Sequence, residues 1–152
     1  MKKICCFTGH REIENKRAEI TSALRTLLPK LISDGVKIFR CGGAIGFDMV
    51  AAEEILRLKR NFSDIELYIY VPCLNQNKYY TKEQNEQYLR QLNSADKILC
   101  ISEKYYKGCM LERNRALVNG ADVCVAYITR QTGGTAYTVN YAEKNGVEVI
   151  RL

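Results

Sequence analysis

The sequence predicts an α/β protein: a single Rossmann-like three-layer domain over residues 1–152, with a mostly parallel sheet flanked by helices. Short apolar, β-branched runs alternate with segments of helical period along the whole chain. The junctions between these runs carry no hairpin signals, which favours parallel strands joined by crossover helices. At 152 residues, the chain is long enough to bury one sizeable core.

Six runs rich in Ile, Val and Cys predict the strands. They are Ile4–Phe7, Val36–Cys41, Ile65–Val71, Ile98–Ile101, Val123–Tyr127 and Val147–Ile150. The first helix carries apolar residues from Ile20 to Leu31, and we expect Pro29 to kink it because proline removes a backbone donor.

The later helices are predicted from capping signals and apolar spacing. A capping box from Thr81 to Gln84 begins the third helix, and Gly146 ends the fifth. The apolar faces are predicted from residues at three- and four-residue spacing: Met49, Ala52, Ile55 and Leu56 in the second helix; Tyr88, Leu89 and Leu92 in the third; Met110, Asn114, Leu117 and Val118 in the fourth; and Val139 and Ala142 in the fifth.

Composition bounds the function classes. No apolar run approaches the roughly 18 residues of a membrane span, so we expect no membrane partner. The first ten residues turn polar too early for a signal peptide, which predicts a cytoplasmic protein. The net charge of +6 permits an anionic partner without requiring one.

The seven cysteines do not form a metal motif. They make no Cys-x-x-Cys pair, and His10 is the single histidine, so no metal site is predicted. Five cysteines lie in apolar strand-like runs and are expected to be buried, reduced thiols. Cys73 and Cys109 fall in predicted loops, where we expect the more accessible thiols.

The distinctive polar and glycine residues follow the carboxyl ends of the predicted strands. They are Thr8, Gly9, His10 and Arg11 after the first strand; Gly42, Gly43, Ala44, Gly46 and Asp48 after the second; Tyr79 after the third; Tyr106, Arg113 and Asn114 after the fourth; and Gly133, Gly134 and Thr135 after the fifth. Ligands bind at this edge of parallel sheets, so these residues predict one binding site.

The chemistry of these residues favours a phosphorylated ligand. Two glycine turns that lead into helices can present backbone amides to phosphate, although a tight turn explains one such cluster alone. Arg11 and Arg113 carry forked donors suited to phosphate. The second-strand turn lacks the first glycine of the dinucleotide fingerprint, and no acidic residue closes the next strand, so a nicotinamide-dependent dehydrogenase is disfavoured.

Several site residues have two readings. Asp48 and Glu112 are candidate catalytic acids, but both lie in first helical turns, where an acid also complements the helix dipole. Asp48 could also hold a ribose hydroxyl. His10 is a candidate acid or base, or a structural hydrogen-bonding group. Tyr79 and Tyr106 lie among lysines and either stack on a nucleobase or pack at the loop boundary.

Three motifs carry a family resemblance: Phe7–Arg11, Gly42–Glu53 and Tyr106–Arg115. Together with Gly133–Ala136 and Tyr141–Ala142, they make the chain similar to YpsA-like bacterial proteins of the SLOG superfamily, which also includes DprA and the LOG cytokinin-activating enzymes. The resemblance covers essentially the whole chain. It implies a Rossmann-like fold that binds a nucleotide or nucleotide-derived ligand at the glycine-rich edge.

Two departures bear on the activity. Asn119 stands where the family usually carries an aspartate. The turn from Thr132 to Val139 lacks the proline, third glycine and glutamate that LOG enzymes use, which removes the main support for N-glycosidic hydrolysis.

The leading hypothesis is a module that binds an AMP-like or ADP-ribose-like ligand, with no other cofactor predicted. The alternatives are a LOG-type nucleotide N-glycosidic hydrolase and DprA-like binding of single-stranded DNA. A second copy of the chain remains a further candidate partner.

Overall fold

The computed structural model describes residues 2–152, in which strands and helices alternate. The strands are β1 (Lys3–Gly9), β2 (Val36–Cys41), β3 (Glu66–Cys73), β4 (Lys97–Ser102), β5 (Val123–Tyr127) and β6 (Glu148–Arg151). The helices are α1 (Arg17–Ser33), α2 (Phe47–Leu58), α3 (Lys82–Ser94), α4 (Cys109–Val118) and α5 (Gly134–Lys144), and a 3-10 turn at Glu14–Lys16 precedes α1.

All six strands form one parallel sheet in the order β4-β3-β2-β1-β5-β6. The predicted fold class is therefore confirmed. From β1 the chain builds outward to β4, then crosses back and adds β5 on the free side of β1. The order of the sheet thus reverses between β1 and β5, and such a switch point opens a crevice at the carboxyl edge.

Helices cover the sheet on both faces, and alternate residues of β1 show the division. Cys5 and Phe7 point toward α1, α2 and α3, where the larger core lies. Cys6 points to the other face, where α4 contributes Leu117 and α5 contributes Ala142. Among residues 2–152, no helix is long and apolar enough to cross a membrane.

Local chemistry accounts for much of this pattern. The capping box of α3 is complete, because the Thr81 hydroxyl accepts from the Gln84 amide at 3.2 Å and the Gln84 side chain accepts from the Thr81 amide at 2.9 Å. The strands predicted at Val36–Cys41 and Val123–Tyr127 match residue for residue. α1 continues as helix through Pro29 to Ser33.

Several helix predictions need correction. Leu89 was expected in the core but is 50% exposed, because α3 packs through Tyr88 and Gln91 instead. The Gln91 amide is buried and donates to the Met49 carbonyl at 2.9 Å, which satisfies its polarity. In α4 the buried face includes Cys109 and Arg113 beside Leu117 and Val118, whereas Met110 and Asn114 are only half-buried. The predicted end of α5 is confirmed: the helix stops at Lys144, and Gly146 closes it with a φ of 73° and a hydrogen bond to the Glu143 carbonyl at 3.2 Å.

The cysteine accessibilities also differ from expectation. Cys73 and Cys109 are buried, because β3 extends to Cys73 and α4 begins at Cys109, so neither lies in a loop. Cys100 was expected to be buried but is exposed, since it lies on the edge strand β4. The described residues hold no cluster of three or more His, Cys, Asp or Glu suited to a metal ion.

Candidate functional site

A cavity of about 360 Å³ opens at the carboxyl edge of the sheet, at the switch point between β1 and β5. Its walls come from the loops after these strands and from the first turns of α2, α4 and α5. The sequence-predicted residues that line it are Thr8, Gly9, His10, Arg11, Ala44, Asp48, Arg113, Asn114, Gly134 and Thr135. The fold therefore brings together residues from separate segments of the chain.

Arg113 is the buried cation of this site, with only 4% of its surface exposed. Its Nη1 donates to the carbonyl of Gly42, to that of Tyr70 at 3.3 Å and to the side-chain oxygen of Gln76 at 3.1 Å. Burial lowers the pKa of Arg113 while the nearby Asp48 carboxylate raises it, and a guanidinium remains charged in either case. Arg113 therefore places a fixed positive charge in the cavity wall.

Asp48 supplies the opposing charge from the first turn of α2. It is 7% exposed, and its Oδ2 accepts from the amide of Ala44 at 3.4 Å. Burial raises the pKa of Asp48 to about 6, although Arg113, the Ala44 amide and Arg11 act in the opposite direction. The carboxylate is thus largely ionised at neutral pH but gains its proton in mild acid.

Gly42 permits this arrangement of Asp48 and Arg113. A Cβ on Gly42 would lie 2.7 Å from Asp48 Oδ2 and 2.9 Å from Arg113 Nη1. Both distances are shorter than van der Waals contact allows, so any larger residue would push the carboxylate and the guanidinium out of place.

Gly43 and Gly46 shape the same turn from behind the cavity. Gly46 has a positive φ of 84°, and a Cβ there would lie 2.3 Å from the carbonyl oxygen of Arg11. The carbonyl of Gly43 accepts a hydrogen bond from the Tyr80 hydroxyl at 2.9 Å. Gly42, Gly43 and Gly46 do not themselves line the cavity, and a phosphate-cradling role for their amides stays a prediction.

His10 joins the two loops of the switch point. Its Nε2 accepts from the backbone N–H of Thr129 at 2.9 Å, so the ring is neutral with its proton on Nδ1. Burial lowers the pKa of His10, and Arg130 lowers it further, whereas Glu12 raises it. The His10 carbonyl also accepts from the amide of Phe47 at 3.1 Å. This geometry supports the structural reading of His10.

Two exposed arginines lie at the mouth of the cavity. Arg11 approaches Met110, whose sulfur is 3.7 Å from Nη2. Arg130 pairs with Glu12 across the mouth at 3.9 Å. Sequence reasoning missed Arg130, Glu12 and Met110 as site residues. The signal for Arg130 was its place in the loop after β5, three residues before the Gly133-Gly134 turn.

The N-terminus of α5 forms the far wall. Gly133 has a positive φ of 95°, and a Cβ there would lie 3.9 Å from Arg130 Nε. A Cβ added at Gly134 would have Asn114 Nδ2 as its nearest neighbour, at 3.8 Å. Because Asn114 Oδ1 already accepts from Arg113 Nε at 2.9 Å, its Nδ2 is available to donate. Gly134 and Thr135 line the cavity, whereas Gly133 does not.

Besides these glycines, three further predicted residues lie outside the cavity. Tyr79 is 87% exposed, with Lys78 Nζ 5.4 Å from the ring centre. Tyr106 donates its hydroxyl to the carboxylate of Glu112, and both side chains are exposed. Of the two candidate catalytic acids, Asp48 therefore faces the cavity and Glu112 does not.

Comparisons with solved structures agree with the fold. DNA processing protein A from Helicobacter pylori, described for its single-stranded DNA binding mode, superposes with a TM-score of 0.69 at 22% identity. That from Streptococcus pneumoniae gives a TM-score of 0.69 at 16% identity. The matches cover 98% and 99% of this chain but only 64% and 50% of those proteins, so the chain spans half to two thirds of their length.

Sequence comparisons identify the family. A UPF0398 protein of Halalkalibacterium halodurans is 29% identical over 153 residues, covering 93% of this chain and 81% of that protein. One from Bacillus cereus strain AH187 is 26% identical over 130 residues, covering 84% and 71%. The model of the YspA SLOG family matches residues 5–149, nearly the whole chain. This chain therefore belongs to the YspA SLOG family, the YpsA-like family that its glycine and arginine motifs resemble.

Proposed function

We propose that this chain binds a nucleotide or a nucleotide-derived phosphorylated ligand of the AMP or ADP-ribose type, as a sensing or regulatory module. The observation that carries the proposal is the cavity at the switch point, in which the buried Arg113 guanidinium lies beside the buried Asp48 carboxylate. Buried charges are costly, and sites that retain them are commonly binding or catalytic sites.

The charge balance of the cavity favours an anionic ligand. Arg11, Arg113 and Arg130 outnumber Asp48 and Glu12 among the lining residues. The α5 N-terminus adds the positive end of a helix dipole and the amides of its first turn. A phosphate group at this end of the cavity would meet Arg130 and the Asn114 amide.

The Asp48 carboxylate would bind a different part of the ligand from the part that meets Arg130 and α5. A carboxylate accepts hydrogen bonds from hydroxyl groups and repels phosphate. A ribose diol at Asp48 and a phosphate at α5 would therefore satisfy both walls. A volume of about 360 Å³ lies near the lower end of ligand pockets, roughly 300–1,000 Å³, which favours one nucleotide unit inside the cavity.

Ligand binding can be tested by calorimetry and thermal unfolding with AMP, ADP, ADP-ribose and NAD. A ligand at a hundredfold over its Kd should stabilise the fold by about 2.7 kcal/mol. Arg130→Ala should weaken binding about tenfold or more, because charge-assisted contacts contribute roughly 1.5–3 kcal/mol. Arg60→Ala removes an exposed arginine that does not line the cavity and is the matched control. Equal affinity in both variants would contradict the assignment.

A second candidate function, binding of single-stranded DNA, is favoured by one surface. Exposed tyrosines and lysines follow β3 and β4 at the same sheet edge: Lys78, Tyr79, Lys104, Tyr105, Tyr106 and Lys107. Such residues stack bases and contact phosphates. Affinity for a short oligonucleotide should then fall steeply with salt, and Tyr79→Ala with Tyr105→Ala should weaken it. Salt-insensitive or absent binding would remove this candidate.

A hydrolytic activity would depend on Asp48. A buried carboxylate with a raised pKa that faces a cavity suits acid–base or charge-stabilising chemistry at a glycosidic bond. If the protein releases free base from a nucleoside monophosphate, Asp48→Asn should abolish the release and Glu112→Gln should leave it intact. Chromatography of the products distinguishes this activity from binding alone.

A further inference from the structure

The edge strand β4 is unusually apolar for an exposed edge. It pairs only with β3, so its outer side presents unpaired backbone N–H and C=O groups. Ile98 is 49% exposed, Cys100 is exposed, and the neighbouring Leu89 of α3 is 50% exposed. Edges of this kind template pairing with another strand unless charge or a bulge prevents it.

The opposite edge of the sheet has the protection that β4 lacks. β6 is four residues long and carries the exposed charges of Glu148 and Arg151 at its two ends. In β4 the run from Ile98 to Ile101 contains no charge, and Lys97 alone precedes it. The contrast indicates that the β4 edge is built for contact.

We propose that β4 pairs antiparallel with β4 of a second copy of this chain, joining two six-stranded sheets about a twofold axis. An isologous contact of this kind uses the same surface of both subunits. In the register that places Cys100 opposite Cys100, Lys97 lies opposite Glu103 of the second copy, and the symmetry makes this pair twice. Within residues 2–152, neither Lys97 nor Glu103 forms a salt bridge.

Neighbouring registers lose this complementarity. In an antiparallel pair, two residues that lie opposite each other both point their backbone groups toward the partner strand or both point them away. A twofold axis must therefore pass between two copies of the same residue. Centring on Leu99 places Lys97 opposite Ile101, and centring on Ile101 places Leu99 opposite Glu103. Opposite charges across a strand pair stabilise it, and like charges destabilise it, so the register centred on Cys100 is favoured.

The same register covers exposed side chains of β4 itself. Ile98 pairs in register with the core residue Ile69 of β3, so its side chain lies on the α3 face of the sheet, beside Leu89. A twofold axis perpendicular to the sheet keeps α3 of both copies on that face. Ile98 would then lie opposite Ser102 of the second copy and diagonally beside its Cys100, so part of the exposed Ile98 surface would leave water.

Charge reversal tests the register. Sedimentation velocity should show a concentration-dependent dimer of the wild-type chain. Lys97→Glu and Glu103→Lys should each raise the dimer dissociation constant about tenfold or more, since both symmetric pairs become repulsive. An equimolar mixture of the two variants should form a heterodimer, because each of its two cross-strand pairs again joins a lysine to a glutamate. The double variant K97E/E103K should dimerise like wild type.

The matched control is Glu148→Lys, which makes the same charge change on the β6 edge. Thermal unfolding monitored by circular dichroism should show equal stability of the variants as monomers at low concentration. A wild-type chain that remains monomeric at high concentration would overturn the proposal. So would a dimer that Lys97→Glu leaves unchanged, or one that Glu148→Lys dissociates.

Cross-linking provides an independent measurement at the axis. A short bis-maleimide adds one thiol at each end without a leaving group or an oxidant. Cys100 is the exposed cysteine, whereas the other six are buried, so the reagent should link two copies through Cys100. Cys100→Ser should abolish the linked dimer, and Cys73→Ser should leave it. Equal cross-linking in both variants would contradict the predicted position of the axis.

Discussion

The imidazole of His10 accepts a hydrogen bond from the backbone N–H of Thr129, linking the loops after β1 and β5 across the switch point of the sheet. The two loops carry Arg11 and Arg130, the cations at the mouth of the cavity. A neutral histidine thereby sets the spacing of the groups that would hold an anion.

This bond gives the fold a dependence on pH. Burial and Arg130 lower the pKa of His10 below its unfolded value of about 6.5, against the opposing effect of Glu12. The unfolded chain therefore binds more protons, and the free energy of unfolding should fall as the pH drops through about 6.5 toward the folded pKa. Glutamine can still accept from Thr129 but does not titrate, so His10→Gln should lose this dependence in urea unfolding. Identical pH profiles for both proteins would contradict the prediction.

Asp48 should have the opposite effect on stability. Because burial raises its pKa to about 6, the folded protein binds the extra proton between about pH 4 and 6, and stability should decline as the pH rises through that window. The shift corresponds to about 3 kcal/mol. Asp48→Asn should therefore raise the free energy of unfolding at pH 7 by roughly 1–3 kcal/mol and by little at pH 4, while ligand affinity is lost. A less stable variant at pH 7 would contradict the pKa assignment.

Gly42→Ala should disrupt the site locally. The added Cβ would overlap Asp48 Oδ2 and Arg113 Nη1, and overpacking of this kind costs about 1–3 kcal/mol. Urea unfolding and ligand calorimetry would measure both consequences. Gly134→Ala is the control for stability, since its nearest neighbour would be 3.8 Å away. Equal stability of the two variants would show that the Asp48 and Arg113 side chains move to accommodate the added Cβ, and would contradict the prediction.

Arg113→Met should be the most destabilising of these changes. It leaves the buried Asp48 carboxylate without its cation and the acceptors of Gly42, Tyr70 and Gln76 without their donor. A buried acceptor left without its donor typically costs about 1–3 kcal/mol.

The loss from Arg113→Met should be smaller at pH 5 than at pH 7, because a protonated Asp48 needs no counter-charge. Arg115→Met, on the same helix and bonded to the Tyr137 hydroxyl at 2.9 Å, is the control and should cost much less stability. A loss of stability independent of pH would show that it does not arise from the unpaired Asp48 carboxylate.

The sequence predicted the strands and the edge at which the cavity lies because local patterns determine both. Strand runs such as Val123–Tyr127 are apolar and bounded by polar turns, and the site residues follow their carboxyl ends. Arg113 was predicted to bind phosphate from its place beside a glycine turn. The structure adds that its guanidinium is buried and shared with three acceptors within the chain.

What the sequence could not provide was the order of the strands. That order makes β4 an edge, which explains why Cys100 and Ile98 are exposed although their run reads as a core strand. It also brings the loop after β5 beside the loop after β1, and this proximity turns Arg130 from an ordinary surface arginine into a lining residue. Contacts between segments that are distant along the chain leave no periodic pattern in the amino-acid sequence.

A further side chain, Arg40 of β2, contacts the C-terminal end of α4. Its Nη1 donates to the carbonyls of Leu117 at 3.0 Å and Asn119 at 2.6 Å, and its guanidinium lies 5.5 Å from the centre of the Tyr70 ring. These bonds satisfy carbonyls that a helix C-terminus leaves open. α4 is therefore held by β2 at its C-terminal end and at its midpoint, since Arg113, the fifth of its ten residues, bonds to the Gly42 turn directly after that strand.

This double attachment determines how the cavity would receive a molecule. A helix fixed at its midpoint and its C-terminal end cannot tilt to admit a ligand without breaking several hydrogen bonds, so the wall that carries Arg113 is preorganised. The freedom that remains lies at the mouth, where the exposed Glu12–Arg130 pair is the contact an incoming anion would displace. Ligand binding would then change the conformation of the two loops that carry Glu12 and Arg130. The sheet and α4 would keep their positions.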